Sequence, residues 1–295
     1  MQLTTLGEVL AFAEQAFTKA GLYFGHGTDN AWDEAVALAL YVLQLPPEVE
    51  ASVLERVLTV QEKETLNQLI NQRISQCIPV PYLTREAWFA YLKFYVDERV
   101  IIPRSPMAEL ILNGFQPWLG ERPVLRILDL CTGSACIAIT CAQIFKEAKI
   151  DAVDISEDAL AVAHKNVTLH HCEQQVNLIQ ADLFSGCVGK KYDIIISNPP
   201  YVDARALKRM PSEYRWEPRL ALAAGHDGLT IVKRILGEAS SYLSPNGLLF
   251  VEVGAAASTL QKLYPSVPFT WLEFQQGGEG VFLVNAEDKV CWQNF

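Results

Sequence analysis

The sequence predicts an α/β protein: a doubly wound, mostly parallel sheet that ends in an antiparallel hairpin, preceded by a small helical domain and a β-hairpin linker. Three observations predict it. From residue 124 onward, short apolar runs of strand length alternate with helix-length segments, which is how strands that run parallel and return through helices read in sequence. Residues 1–78 carry apolar positions at helical spacing. Between these parts, prolines and two short β-rich runs mark a change of character.

The elements follow in order. Leu6, Val9, Leu10, Ala13, Phe17 and Ala20 recur at helical spacing, and Gly21 is placed to stop that helix. A second helix fits 30–45, with Asp33 and Glu34 near its positive end and Pro46-Pro47 closing it. A third runs from 48 to about 75 and is rich in Glu, Gln, Leu and Lys. Residues 79–103 form the connector and hairpin. The prolines of Cys77-Ile78-Pro79-Val80-Pro81-Tyr82-Leu83 punctuate the chain, and Ala87-Trp88-Phe89 and Leu92-Lys93-Phe94-Tyr95-Val96 read as two strands. The remaining domain, 104–295, opens on a helix from 107 to about 119. Strands are expected at 125–130, 149–153, 176–180, 193–197, 248–253, 269–274 and 281–284. Gly277-Gly278-Glu279-Gly280 reads as a hairpin turn, so the end of the sheet is antiparallel.

Composition narrows the function classes. Half of the 295 residues are hydrophobic, enough for one large core and a smaller one. Lysine and arginine total 24 against 34 acids, a net charge of -10. That balance argues against a broad basic grip on bare nucleic acid. Seven cysteines stand without a Cys-x-x-Cys pair, as in a reduced, intracellular protein. The first residues lack the basic start and apolar core of a secretory signal, and no apolar run is long enough to span a membrane. Cytoplasmic localisation, with no membrane partner, is the expectation.

The chemistry is expected beyond the carboxyl ends of the parallel strands, where ligands bind in open α/β sheets. The first strand runs into Asp129-Leu130-Cys131-Thr132-Gly133-Ser134-Ala135, the second ends in Asp151-Ala152-Val153-Asp154, and the third is followed by Ala181-Asp182-Leu183. A dinucleotide site wants three glycines to cradle a pyrophosphate; here only Gly133 sits in the turn, behind the carboxylate of Asp129. That suits an ammonium-bearing ligand without phosphate, such as S-adenosylmethionine, which becomes S-adenosylhomocysteine. Asp154 would accept from both ribose hydroxyls, and Asp182 would meet the adenine amine, with Leu183 offering a backbone amide or an apolar contact. Each Asp also has a plainer reading as a helix N-cap.

The fourth strand ends in Asn198-Pro199-Pro200-Tyr201, the most specific signal in the chain. An amide nitrogen is a poor nucleophile because its lone pair is delocalised. The Asn198 side-chain oxygen and the Pro199 carbonyl can each accept one N–H of a planar NH2 group and aim its lone pair. The prolines, Pro200 included, hold the backbone in one conformation. The Tyr201 ring can lie over the flat target. A glutamine amide and an exocyclic adenine amine both fit this description.

These residues resemble the protein glutamine methyltransferases. The resemblance rests on Asn198-Pro199-Pro200-Tyr201, the acidic series before it and the segment Ile102-Pro103-Arg104-Ser105-Pro106-Met107-Ala108-Glu109, and it spans essentially the whole chain. It implies a Rossmann-like, seven-stranded class I methyltransferase sheet that uses S-adenosylmethionine. The release-factor branch of the family typically carries Pro-Arg-Pro-Glu-Thr-Glu. Pro103-Arg104-Ser105-Pro106, Val96-Asp97-Glu98-Arg99-Val100 and Glu213-Tyr214-Arg215-Trp216-Glu217-Pro218 look like the branch acting on ribosomal protein L-three. The implied partner is a ribosomal protein or the assembling large subunit, with no direct sequence-specific nucleic acid; the helical domain would recognise it.

Carried over by position, the cofactor loop falls on Thr132, Gly133, Ser134, Ala135 and Cys136, flanked by Asp129. The ribose carboxylate falls on Asp154 with Ile155 beside it, followed by Asp182 and Leu183. Asn198 touches both cofactor and substrate, and Arg104, Ser105, Pro199 and Tyr201 face the substrate. One departure stands out: Ala135 replaces the usual glycine, so its methyl group either crowds the cofactor or takes a negative φ. A catalytically silent binding protein on the same fold is the reading Ala135 keeps open. No metal is expected: His170-His171-Cys172 reads as a solvated helix end, and Cys131, Cys136 and Cys141 as helix packing.

Overall fold

The computed structural model describes residues 4–288, so Cys291 lies outside the described residues. The chain divides into two compact units, Met1–Ala87 with Pro211–Trp216, and Trp88–Met210 with Glu217–Phe295.

The first unit is helical. α1 (Leu6–Lys19) starts at a capping box in which Thr5 accepts from the Glu8 N–H and the Glu8 carboxylate reaches back. α2 (Ala31–Leu43) is capped by Asn30, whose side chain accepts from the Asp33 N–H at 2.9 Å. α3 is Val60–Gln76 rather than the expected 48–75. Residues Ala51–Glu55 make a 3-10 turn, and a second capping box, Thr59 with Glu62, restarts the helix. A strong cap in mid-pattern breaks what helix propensity alone would continue. The proline-rich connector carries a short helix, α4 (Val80–Thr84); Pro81 sits in its first turn, where a missing N–H costs nothing. Leu10, Phe17, Leu38, Leu66 and Ile70 form the core.

Within this unit Arg73 is fully buried. Its Nε donates to Glu34 at 2.7 Å, Nη1 to Glu213 at 3.0 Å and Nη2 to the Tyr23 carbonyl at 2.8 Å. Glu213 also accepts from the Tyr23 N–H at 2.9 Å, which fixes the 211–216 segment within the helical unit.

β1 (Glu86–Phe89) and β2 (Leu92–Tyr95) make a two-stranded sheet, as the sequence predicts. α5 (Met107–Leu112) ends sooner than expected. Gly114 and Phe115 both take positive φ, and the Phe115 N–H reaches back to the Leu110 carbonyl at 3.0 Å, a helix-terminating closure.

The second unit is built on a seven-stranded sheet. In chain order it comprises β3 (Arg126–Leu130), α6 (Cys136–Ile144), β4 (Lys149–Asp154), α7 (Glu157–Leu169), β5 (Val176–Gln180), β6 (Tyr192–Ser197), α8 (Ala204–Leu207), α9 (Thr230–Ala239), β7 (Leu243–Glu252), α10 (Ala257–Leu263), β8 (Thr270–Trp271) and β9 (Val281–Asn285). The strand order is β5-β4-β3-β6-β7-β9-β8. All pairs through β7 are parallel, and β9 is antiparallel to both β7 and β8. The expected antiparallel end is therefore present, with β9 inserted beside β7 and β8 shortened to an edge pair.

Apolar residues occupy both faces because helices cover both. Ile127, Ile194, Ile196 and Phe250 join the core under α5, α6 and α7. Their neighbours Leu128, Ile195, Leu249 and Val251 join the core under α9 and α10. That period-two alternation explains why the strands read as continuous hydrophobic runs.

Candidate active site

From β3 the chain winds through β4 to β5 on one side of the sheet, while β6 and β7 lie on the other. The switch falls between β3 and β6, where a crevice opens beyond the strand ends. The two strands pair as far as Leu130↔Ser197, and Ser197 Oγ donates to the Leu130 carbonyl at 2.8 Å. Asn198 thus leaves the sheet beside the loop that begins at Cys131.

That loop is tightly specified. Cys131, Gly133 and Ala135 all have positive φ, at 59°, 55° and 63°. The Thr132 N–H donates to the Val153 carbonyl at 3.0 Å, and the Gly133 N–H to Asp154 Oδ2 at 2.9 Å. Thr132 Oγ1 and the Ala138 N–H both donate to Asp129 Oδ2, at 2.5 and 3.2 Å. From α7, Asn166 donates to the Ser134 carbonyl at 2.9 Å and clasps both backbone groups of Tyr95. Cys136 opens α6 with its thiol buried and pushed up to about 12 by desolvation.

Ala135 does not take the negative φ that the sequence offers as one alternative. It keeps the left-handed conformation a glycine would adopt, and it is fully buried in the core that also contains Ile127, Ile137 and Ala138. Its cost is backbone strain of about 1 kcal/mol.

The acidic series is brought together unevenly. Asp154 is half-buried, and desolvation raises its carboxyl above the ordinary range; its Oδ1 accepts from the Ser156 N–H at 2.9 Å. Ile155 beside it is 53% exposed, an apolar side chain presented to solvent at a strand end. Asp182 lies beyond β5 and is ion-paired with Arg234 of α9 at 2.9 Å, both half-exposed. Leu183 is buried with a φ of 49°. β5 and β6 stand three strand spacings apart, about 14 Å, so Asp182 and Asn198 leave the same end of the sheet at about that separation.

Asp129 bears on what that crevice holds. It is fully buried, desolvation pushes its carboxyl up to about 7, and its Oδ1 has no hydrogen-bond partner among the described residues. An unpaired buried carboxylate oxygen calls for a donor. The ammonium of an amino-acid end supplies one, so the residues fit S-adenosylmethionine.

In the tetrapeptide, Pro199 is buried, and Asn198, Pro200 and Tyr201 are half-buried. The Asn198 carboxamide makes no hydrogen bond to any described residue. Tyr201 Oη donates to Glu252 Oε1 at 2.9 Å. After the tetrapeptide, Val202 bridges to Ala223, so residues 203–222 form a closed excursion.

Arg104 and Ser105 are both engaged. Arg104 Nη1 and Nη2 hold the buried Glu217 carboxylate, which also accepts from the Ile102 N–H at 3.0 Å. Ser105, 7% exposed, donates from Oγ to Glu252 Oε2 at 2.5 Å. Sequence reasoning missed Glu252, Asn166 and the Arg234 partner of Asp182. Glu252 had a signal: like Asp129 and Asp154, it is a carboxylate at the end of an apolar strand. Asn166 had none, because its partners are remote in sequence. Among the described residues, no three His, Cys, Asp or Glu side chains converge as a metal site. His170 instead meets the Lys93 carbonyl and the Phe94 ring.

This strand order is the fold of a class I methyltransferase, with Asn198-Pro199-Pro200-Tyr201 at its switch point. The family described as "Methyltransferase small domain" matches residues 109–212. A structure of the hMettl16 catalytic domain in complex with the MAT2A 3'UTR hairpin 6 shares the fold at a TM-score of 0.51 and 16% identity, covering 83% of this chain and 90% of that one. The ribosomal protein uL3 glutamine methyltransferase of Francisella tularensis subsp. tularensis is 45% identical over 99% of this chain and 93% of its own. The enzyme of that name from Neisseria gonorrhoeae is 48% identical over 98% and 97%. The chain belongs to the ribosomal protein uL3 glutamine methyltransferase family.

Proposed function

We propose that this enzyme methylates the side-chain amide nitrogen of a glutamine in ribosomal protein uL3, using S-adenosylmethionine, in the cytoplasm. One observation carries the catalytic half of the reading: at the switch point, an Asn198 carboxamide with no hydrogen-bond partner among the described residues stands beside a glycine-poor loop in which the buried Asp129 has one carboxylate oxygen, Oδ1, without a donor. The family carries the substrate half.

When bound, S-adenosylmethionine supplies a methyl group activated by a positive sulfur. The chain's own residues do the rest. Asp129 meets the ammonium, and Asp154 the ribose, with Ile155 and Leu183 as apolar neighbours. Asn198 Oδ1 and the Pro199 carbonyl accept the two N–H groups of the glutamine amide, loosening its lone pair from the carbonyl and aiming it. Tyr201 covers the flat face of the amide, and Pro199 and Pro200 keep the acceptors from turning away. The nitrogen gains a methyl group and gives up one proton to water. Arg104 shapes the substrate side by holding Glu217.

Labelled methyl transfer offered in parallel to uL3, a release factor and duplex DNA tests this. Label on uL3 alone supports it; label on the release factor or on DNA instead moves the target.

A further inference from the structure

β7 ends in a carboxylate for which the roles assigned so far have no use. Glu252 is 5% exposed, and each of its oxygens takes one hydroxyl: Oε2 from Ser105 at 2.5 Å, Oε1 from Tyr201 at 2.9 Å. Ser105 is fixed in turn, since its Oγ accepts the Met107 N–H at 3.1 Å. Burying a carboxylate is costly unless its lone pairs are used; burial raises the Glu252 carboxyl above its ordinary range, and the two hydroxyls that donate to it oppose that shift.

The ring of Tyr201 is confined from the other side. Gly254, at φ 46°, passes so close that a Cβ there would fall 2.8 Å from the Tyr201 ring. Gly254 is itself pressed by Gly280, where an added Cβ would lie 2.2 Å from the Gly254 carbonyl oxygen. The Tyr201 ring therefore has its hydroxyl held by Glu252 and one edge against bare backbone.

We propose that Glu252 is the positioning residue of the transfer step, holding the Tyr201 ring over the target amide, and that Ser105 serves by fixing Glu252 rather than by touching substrate. The assignment rests on the proposed methylation of uL3. Glu252 moves no proton and makes no bond; it acts through Tyr201.

A double-mutant cycle tests it, with uL3 as methyl acceptor. Glu252→Gln and Tyr201→Phe each lower kcat by roughly tenfold, leave the KM for uL3 and the affinity for S-adenosylmethionine within about twofold, and in combination lose no more than either alone. A merely structural role would lower the melting temperature and leave kcat per folded molecule unchanged. If Glu252→Gln does not fold, as judged by lost S-adenosylmethionine binding, Ser105→Ala takes its place in the cycle with the same expected non-additivity. Multiplicative losses, or full kcat in Glu252→Gln, overturn the role of Glu252 while wild-type activity on uL3 leaves the proposed function standing. Wild-type enzyme that does not label uL3 overturns the proposed function, and this assignment with it.

Discussion

The backbone N–H of Gly133 donates to Asp154 Oδ2 at 2.9 Å, so the carboxylate that ends β4 also holds the loop that follows β3. One side chain thus organises two walls of the crevice. Replacing it loosens the loop after β3 and, on the proposed reading, removes an acceptor from the ribose. Asp154→Ala is expected to weaken S-adenosylmethionine binding by about 1.5–3 kcal/mol, the range for hydrogen bonds to a charged group. Isothermal titration against wild type checks this; unchanged affinity would remove Asp154 from the site.

Asp129 sets a pH dependence. Its folded-state carboxyl titrates at about 7, raised by burial from an ordinary 3.8. Because the folded value lies above the unfolded one, the protonated group's contribution to stability is complete below about pH 4 and is lost as pH rises through 7. A ligand ammonium pairs with the ionised form only. S-adenosylmethionine affinity should therefore climb between pH 5.5 and 7.5, with proton release on binding, and then level off. Titrations in buffers of different ionisation enthalpy measure the protons. Asp129→Asn should bind weakly at every pH and release none.

Ala135 tests where a methyl group sits. Changing it to glycine relieves left-handed strain of about 1 kcal/mol and loses a buried methyl worth about 0.8 kcal/mol. The melting temperature should move by no more than a few degrees, and the cofactor affinity by less than about twofold, since the methyl lies in the core. Cofactor binding tenfold tighter in Ala135→Gly would place that methyl in the crevice instead.

The helical unit depends on a buried ion cluster. Arg73→Met leaves Glu34 and Glu213 without their shared cation, and removing one partner of a buried pair costs about 3–5 kcal/mol. Burial already raises the Glu34 carboxyl above its ordinary range. Without Arg73 the buried Glu34 carboxyl favours protonation still more, so the loss should be smaller near pH 4 than at pH 8. Urea unfolding at the two pH values reads the difference; an equal loss would mean that packing, not charge, is what Arg73 supplies.

Much of this was legible before any coordinates. The strand expected at 176–180 is β5, and those at 149–153 and 193–197 match β4 and β6 to within a residue; β4 and β6 read clearly because a strand buried on both faces is an apolar run that stops at a polar end. The tetrapeptide and the Asp129 loop were visible for the same reason: their polar residues interrupt such runs. What sequence did not show were pairings across long separations. Arg104 and Glu217 meet across 113 residues, and Ser105 and Glu252 across 147. Local patterning carries no record of either, or of β9 slipping in beside β7. The break before α3 was a different kind of miss, since Thr59-Val60-Gln61-Glu62 spells a capping box in plain view.

On the proposed reading, Asn198 aims a glutamine amide of uL3 for methyl transfer. Mass spectrometry of uL3 after incubation with S-adenosylmethionine and either wild type or Asn198→Ala tests it most directly. Wild type should place a single methyl group on one glutamine. Asn198→Ala should do so two to three orders of magnitude more slowly, about 3–4 kcal/mol of lost transition-state stabilisation. A variant as fast as wild type, or a uL3 left unmodified by wild type, would contradict it.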